Sequence, residues 1–260
     1  MIYEVGVIGL GEIGGTTIRA MKASKVNDNL YGVDVKDSAL ELLAKEGYNV
    51  GKEFPHPMDV YTISVLTSEQ VEEVIPQHIK YDKNPLVVIE STIRPGTAEK
   101  VMKENPNLNL VVFPHRYFPD DPKYHVFNLT RVMGSKNQEI EERAIQFYER
   151  YIKRNLINCT DIKTAELCKP LENCVRYVQI AMAEDIYMMC EEKGYDFNKV
   201  REAMNTKWNI NVLEARDGIG RHCLPKDIQI INNAFGNNRL FNMAELTDKI
   251  YKRRRTRDED

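Results

Sequence analysis

Gly9-Leu10-Gly11-Glu12-Ile13-Gly14 joins a segment that reads as strand, Glu4 to Leu10, to one that reads as helix, Gly14 to Ser24. No other feature of the 260 residues restricts the fold as much. G-x-G-x-x-G in that setting is the turn of a strand–turn–helix unit that cradles a pyrophosphate. Gly9 permits the tight turn, Gly11 lets the backbone approach the phosphates, and Gly14 lets the helix lie close to the sheet. The amides that open the helix, at Glu12 and Ile13, then face the anion. Asp34 follows Gly14 by twenty residues, at the end of the second strand. There it accepts hydrogen bonds from ribose hydroxyls and repels a 2′-phosphate. The pattern predicts NAD as cofactor, in preference to NADP. A Rossmann-like fold that binds S-adenosylmethionine is the competing reading of the same glycines.

The remainder of the first 160 residues repeats the alternation. Leu30 to Val35, Asp59 to Val65, Leu86 to Glu90, Leu108 to Phe113 and Arg131 to Met133 read as strands. A helix capped by Asp37, and others at Ser68 to Gln77, Thr97 to Glu104 and Gln138 to Lys153, lie between or after them. Alternating units of this kind predict an α/β fold, a doubly wound parallel sheet of Rossmann type with helices on both faces. After Ile162 the texture changes to helix formers, Thr164 to Lys193, interrupted only by Pro170 near the start, then Asn198 to Asn205. A glycine-bearing loop and one or two helices follow. The expected division is therefore an NAD-binding domain, 1–160, and a smaller all-helical domain, 161–260, for dimerisation and catalysis. The tail Lys252-Arg253-Arg254-Arg255-Thr256-Arg257 reads as a solvated or frayed terminus.

Charge and composition remove several function classes. Thirty-six basic residues against 39 acidic ones give a net charge of −3, which speaks against nucleic acid as a partner. No run approaches the ~18 apolar residues of a membrane helix, and the N-terminus lacks the basic start of a signal peptide. The five cysteines are odd in number and form no C-x-x-C pair, so reduced thiols in a cytoplasmic setting are expected. The five histidines make no ligand-spaced cluster with them, and no metal site is predicted.

Three later segments carry reactive groups: Glu90-Ser91-Thr92-Ile93-Arg94-Pro95-Gly96-Thr97, Thr164 to Asn173, and Gly218-Ile219-Gly220-Arg221-His222-Cys223-Leu224-Pro225-Lys226-Asp227. Lys169 and Asn173 are four apart and share a helix face. Cys223 and Asp227 read as members of a loop, where side chains can be aimed. A thiol, an amine, an amide and a carboxylate at one site suit oxidation of an alcohol to an acid through a thioester. An ammonium stabilises the attacking thiolate, and ammonium and amide together hold the oxyanion of the tetrahedral adduct. Each residue also has an ordinary structural reading, the cysteine as a small core hydrophobe and the lysine as a solvated side chain.

Taken together, the fingerprint with Asp34, Ser91-Thr92, Asn128 to Gly134, Ala165-Glu166 with Lys169 and Asn173, and the loop around Cys223 resemble the nucleotide-sugar dehydrogenase family. This family includes the UDP-glucose, UDP-N-acetylmannosamine and GDP-mannose 6-dehydrogenases, which oxidise a sugar C6 alcohol twice with two NAD. The resemblance implies that Cys223 is the nucleophile. It also implies that Lys169, Asn173 and Asp227 support oxyanion and water, that Thr92 stands beside the cofactor and orders that water, and that the long helix makes a homodimer. The implied substrate is a small anionic molecule, a nucleotide sugar or a fragment of one, held in part by Lys169. Three departures stand out. The sequence stops about where the family's link to a third, nucleotide-sugar-binding domain would begin, so a short form is expected. Pro114-His115 replaces the Pro-Glu that carries the family's water-activating glutamate, which makes His115 the candidate base. Arg221 replaces a loop glycine and is a candidate clamp for a phosphate or carboxylate. Two alternatives remain: an enzyme for a smaller acidic substrate on the same scaffold, either a hydroxy-acid dehydrogenase or an S-adenosylmethionine-dependent transferase, and a decayed cofactor-binding protein.

Overall fold

Short apolar runs whose side chains alternate between two faces become the strands of a single sheet. The computed structural model describes residues 1–116, 123–220, 222–236 and 238–257. Among them the strands are β1 (Glu4–Ile8), β2 (Asn29–Val33), β3 (Asn49–Gly51), β4 (Val60–Ile63), β5 (Leu86–Ile89), β6 (Asn109–Val112), β7 (Arg131–Ser135) and β8 (Ile157–Asp161). They lie in the order β3-β2-β1-β4-β5-β6-β7-β8. Helices α1 (Glu12–Ala23), α2 (Asp37–Lys45), α3 (Ser68–His78), α4 (Thr97–Glu104) and α5 (Gln138–Tyr148) follow successive strands. The chain divides into two compact units, Met1–Lys169 and Pro170–Asp260.

The period of two in each strand assigns the first unit's core to its two faces. Val87 and Ile89 of β5 pack with Val71 and Ile75 of α3 and with Ala98 and Val101 of α4. Leu86 and Val88 of the same strand pack with Met21 of α1 and with Ile140, Ala144 and Phe147 of α5. The doubly wound α/β architecture is thus present, with one correction to an all-parallel sheet: β7 runs antiparallel to β6, while β7 and β8 are parallel. The described residues between Val112 and Arg131 include no crossover helix, and a strand returning without one must reverse direction. Sequence periodicity had also passed over β3 and β8, the two strands at the sheet edges.

The second unit is helical: most of α6 (Ile162–Glu192), then α7 (Phe197–Asn205), α8 (Cys223–Phe235) and α9 (Arg239–Arg257). The units divide inside α6, between Lys169 and Pro170, nine residues beyond the boundary that composition suggested. Pro170 stands in the interior of the 31-residue α6 and not near its start, so the carbonyl of Glu166 lacks its helical N–H partner. The basic tail is not a frayed end. It forms the last turns of α9, where Arg254 pairs with Glu192 at 2.7 Å and Arg255 reaches the Tyr187 hydroxyl at 3.4 Å.

Candidate functional site

In the first unit the glycine fingerprint has a specific geometry. Gly9 has φ +84° and donates its N–H to the Val33 carbonyl at 2.9 Å, which turns the chain sharply after β1. A Cβ on Gly14 would lie 1.8 Å from the Gly9 carbonyl oxygen, so α1 approaches the turn as only glycine allows. Around Gly11 a Cβ would meet nothing within 4 Å, and α1 begins there with no side-chain cap on its amides. Asp34 accepts from the Leu10 N–H at 2.6 Å through one oxygen and from the Lys36 N–H at 2.7 Å through the other. A carboxylate has about four acceptor positions, so capacity for ribose hydroxyls remains. The open approach at Gly11, the uncapped helix start and Asp34 fit a dinucleotide. Glu12 is exposed and Ile13 half-buried beside them.

At the ends of β4 and β5, the Ser91 hydroxyl accepts from the Val65 N–H and donates to the Val65 carbonyl, both at 2.8 Å. Thr92 follows, half-buried. His115, just beyond β6, is buried with Nε2 3.0 Å from Glu90 Oε2 and 3.1 Å from the Thr17 hydroxyl of α1. The other Glu90 oxygen receives Arg131 Nη2 at 3.1 Å and the Tyr148 hydroxyl at 3.2 Å. Arg131 is fully buried, also donates to the carbonyls of Phe113 and Pro114, and lies 3.8 Å over the Phe113 ring. Burial pushes the His115 imidazole below its ordinary range, and the Arg131 charge pushes the same way. Burial opposes ionisation of Glu90, but the facing His115 and Arg131 outweigh it and hold that carboxyl well below the usual carboxylate range.

Sequence reasoning did not assign roles to Glu90, Arg131 or Tyr148. A signal was available: Glu90 closes the apolar run Leu86-Val87-Val88-Ile89, and Arg131 opens another apolar strand. Unlike charges set into central strands need each other. Glu166, part of the motif around Lys169, is buried and accepts from the Gly96 and Ala98 amides at 2.6 and 2.8 Å. It thereby caps α4.

In the second unit Cys223 and Asp227 do not lie in a loop. They stand one turn apart at the start of α8, because Pro225 falls in the first turn, where an N–H has no intrahelical acceptor. Cys223 is exposed, and Asp227 is buried and accepts from Asn173 Nδ2 at 2.5 Å. Lys226 Nζ lies 3.4 Å from the other Asp227 oxygen, and the Cys174 thiol faces the Asp227 carbonyl at 3.7 Å. The structure therefore brings Cys223, Asn173 and Asp227 together in one unit. Thr92, His115 and the half-buried Lys169 belong to the other. Arg221 lies outside the described residues.

Residues 54–152 match the NAD binding domain of the UDP-glucose/GDP-mannose dehydrogenase family, and residues 163–251 match its central domain. The first match begins beyond the glycine fingerprint. The UDP-N-acetyl-D-mannosamine dehydrogenase of Methanocaldococcus jannaschii is 28% identical over 95% of this chain and 66% of its own length. An NDP-N-acetyl-D-galactosaminuronic acid dehydrogenase of Ralstonia solanacearum is 26% identical over 88% of this chain and 64% of its own. The chain thus spans somewhat less than two thirds of these curated relatives. Among solved structures, the UDP-D-ManNAc dehydrogenase of Pyrococcus horikoshii shares the fold with TM-score 0.81 and 23% identity, covering 95% of this chain and 68% of that one. The 3-hydroxyisobutyrate dehydrogenase of Mycobacterium tuberculosis shares it with TM-score 0.75 and 16% identity, covering 97% and 94%. Taken together, the two family matches span well over half of the sequence, and the chain belongs to the UDP-glucose/GDP-mannose dehydrogenase family.

Proposed function

We propose that this chain oxidises the primary alcohol of a nucleotide sugar to a carboxylic acid with NAD, through a thioester on Cys223. One observation carries the proposal: the exposed thiol of Cys223 opens α8 one turn before a buried Asp227 that holds the Asn173 amide. Two of the other four thiols, those of Cys174 and Cys190, are buried. Bound NAD would supply the hydride acceptor for both oxidations. Cys223 Sγ adds to the carbonyl carbon of the intermediate aldehyde, and the Asn173 amide, with Lys169, supports the resulting oxyanion. After the second oxidation, water adds to the thioester carbon, His115 takes its proton, and the carbon–sulfur bond breaks to return the thiolate. Thr92 orders that water.

The test is NADH formation with UDP-N-acetyl-D-mannosamine, UDP-glucose and GDP-mannose, with peptide mapping after iodoacetamide. The expected outcome is two NADH per sugar acid, and alkylation of Cys223 faster than of the other four cysteines unless product protects it. No NADH from any nucleotide sugar, with Cys223 reacting no faster than Cys168 or Cys190, would overturn the proposal. A second reading, oxidation of a smaller hydroxy acid, draws on the likeness that covers 94% of the M. tuberculosis chain. Its signature is NADH formation that survives Cys223→Ser.

The proposal includes a homodimer built on α6. Val175, Met182 and Met189, exposed by 54, 44 and 60%, recur every seven residues along it. That is the spacing of a helix-packing seam. A monomer by light scattering at micromolar concentration would refute it.

A further inference from the structure

Ile219 precedes Cys223 by four residues, and both of its backbone polar groups are taken by side chains of α9. Its N–H donates to Asp248 Oδ1 at 2.7 Å, and its carbonyl accepts from Lys252 Nζ at 2.7 Å. Asp248 and Lys252 stand one turn apart and pair with each other at 2.8 Å. From α6, the Tyr177 hydroxyl donates to Asp248 Oδ2 at 3.1 Å, and from α9 the Tyr251 hydroxyl donates to the Arg216 carbonyl. Gly218, with φ +90°, completes the fit: a Cβ there would lie 2.4 Å from Lys252 Cε and 2.6 Å from Lys252 Cγ. Ile219 and Asp248 are both buried.

Neither side of this arrangement is explained by packing alone. A segment with glycines at 218 and 220 has a wide choice of backbone conformations and no ladder or helix to restrict it. Asp248 is buried but the Lys252 side chain is 41% exposed, and an ion pair with one partner in solvent adds little to stability by itself. Here the pair satisfies an N–H and a C=O of one loop residue that would otherwise be buried without partners.

We propose that Asp248 and Lys252 are positioning residues: through Ile219 they fix the Gly218–Gly220 segment and so set where Cys223 stands. The inference rests on the reading of Cys223 as the nucleophile. Neither residue takes part in bond making. The clamp instead selects one of the many backbone states open to the glycines, and its loss lowers the fraction of molecules with Cys223 in the reactive place.

Hydrogen exchange at the Ile219 amide, read beside kinetics, tests this. In Asp248→Ala the Ile219 amide should exchange at least tenfold faster. In the same variant kcat should fall tenfold or more while the KM for NAD stays within twofold. Asp248→Asn keeps an acceptor for that N–H, and its exchange should stay within threefold of the unmodified protein. Gly218→Ala removes no charge; its methyl displaces Lys252 and also strains the backbone at φ +90°, so it loosens the clamp from the loop side. It should reproduce the loss of kcat, and it carries the test if Asp248→Ala fails to fold. Ile219 exchange and kcat that match the unmodified protein in Gly218→Ala, or in folded Asp248→Ala, would overturn the clamp. If the unmodified protein oxidises no nucleotide sugar, the functional reading falls but the clamp is still measurable. Faster Ile219 exchange with a threefold or larger change in Cys223 alkylation then supports it, and no change in either overturns it.

Discussion

In the first unit Glu90 is 2% exposed, with His115 on one oxygen and Arg131 and Tyr148 on the other. In the second, Glu184 of α6 is fully buried, and among the described residues neither of its oxygens has a hydrogen-bond partner. Burial disfavours the charged form of both by the same physics. At Glu90 the Arg131 charge, with the hydrogen bonds from His115 and Arg131, outweighs it, and the carboxyl stays ionised. At Glu184 burial wins and pushes the carboxyl up to about 8, Asp248 adding to the rise and Lys252 opposing it. Lys252 does not rescue the charge because its ammonium is already held by Asp248 and the Ile219 carbonyl. The state of a buried acid is thus set by whether a cation is assigned to it, not by depth alone.

The largest effect should come from separating the units by function. Cys223→Ser should cost about 10³-fold or more in turnover, as loss of a covalent nucleophile does. The rise in Tm expected with NAD should stay within about a degree of the unmodified protein's, since the proposed cofactor residues lie in the first unit. Turnover that survives would move the chemistry out of the second unit.

Arg131→Met should destabilise the protein by about 3–5 kcal/mol, because it leaves an ionised Glu90 buried without its permanent cation. Urea unfolding at neutral pH measures this, and a loss below about 1 kcal/mol would show that His115 suffices.

The two glutamates should also respond to pH in opposite directions. The folded pKa of Glu90 lies below its unfolded value, so its stabilisation is present above the ordinary carboxylate range and is lost on acidification. His115, also lowered, acts in the same direction. The folded pKa of Glu184 lies above its unfolded value, about 8 against 4.5, so stability falls as pH rises through that window. Glu184→Gln should therefore match the unmodified protein in thermal unfolding near pH 4.5. At pH 8 it should be more stable by on the order of 2 kcal/mol. Each tenfold change in proton affinity is worth ~1.4 kcal/mol, and relaxation around the buried carboxylate recovers part of the total. Equal Tm at both pH values would show that Glu184 is ionised in the fold.

The smallest effect tests the first unit's cofactor end. Asp34→Asn keeps one acceptor oxygen for the Leu10 or Lys36 amide, gives up the other, and removes the charge. It should narrow the preference for NAD over NADP about tenfold, ~1.4 kcal/mol. Titration of both cofactors measures it. Equal affinity in the unmodified protein would remove Asp34 from the argument.

The fingerprint was legible in the sequence because its physics is local: each glycine answers a steric demand within a few residues of itself. Central strands were legible for a similar reason, since both of their faces are buried and their apolar runs are unbroken. The edge strands were not. Asn49-Val50-Gly51 and Ile157-Asn158-Cys159-Thr160-Asp161 carry little apolar signal, and they are strands because β2 and β7 offer them a partner. The helical placement of Cys223 was missed because Pro225 and the preceding glycines mark a loop unless the helix start is known to fall at Cys223 itself.

By itself, then, the sequence determined the glycine turn with Asp34, the α/β alternation, the helical second part, and the family to which the reactive residues belong. The first three follow from spacing along the chain and from side-chain period, and the family from the resemblance of the motifs around Ser91, Lys169 and Cys223. The tertiary structure decided which charges survive burial and what holds the loop before Cys223. Glu90 meets Arg131 across 41 residues, and Ile219 meets Asp248 across 29. Electrostatic and hydrogen-bond energies in a dry interior depend on distances of a few ångströms, and no periodicity in the chain encodes those distances.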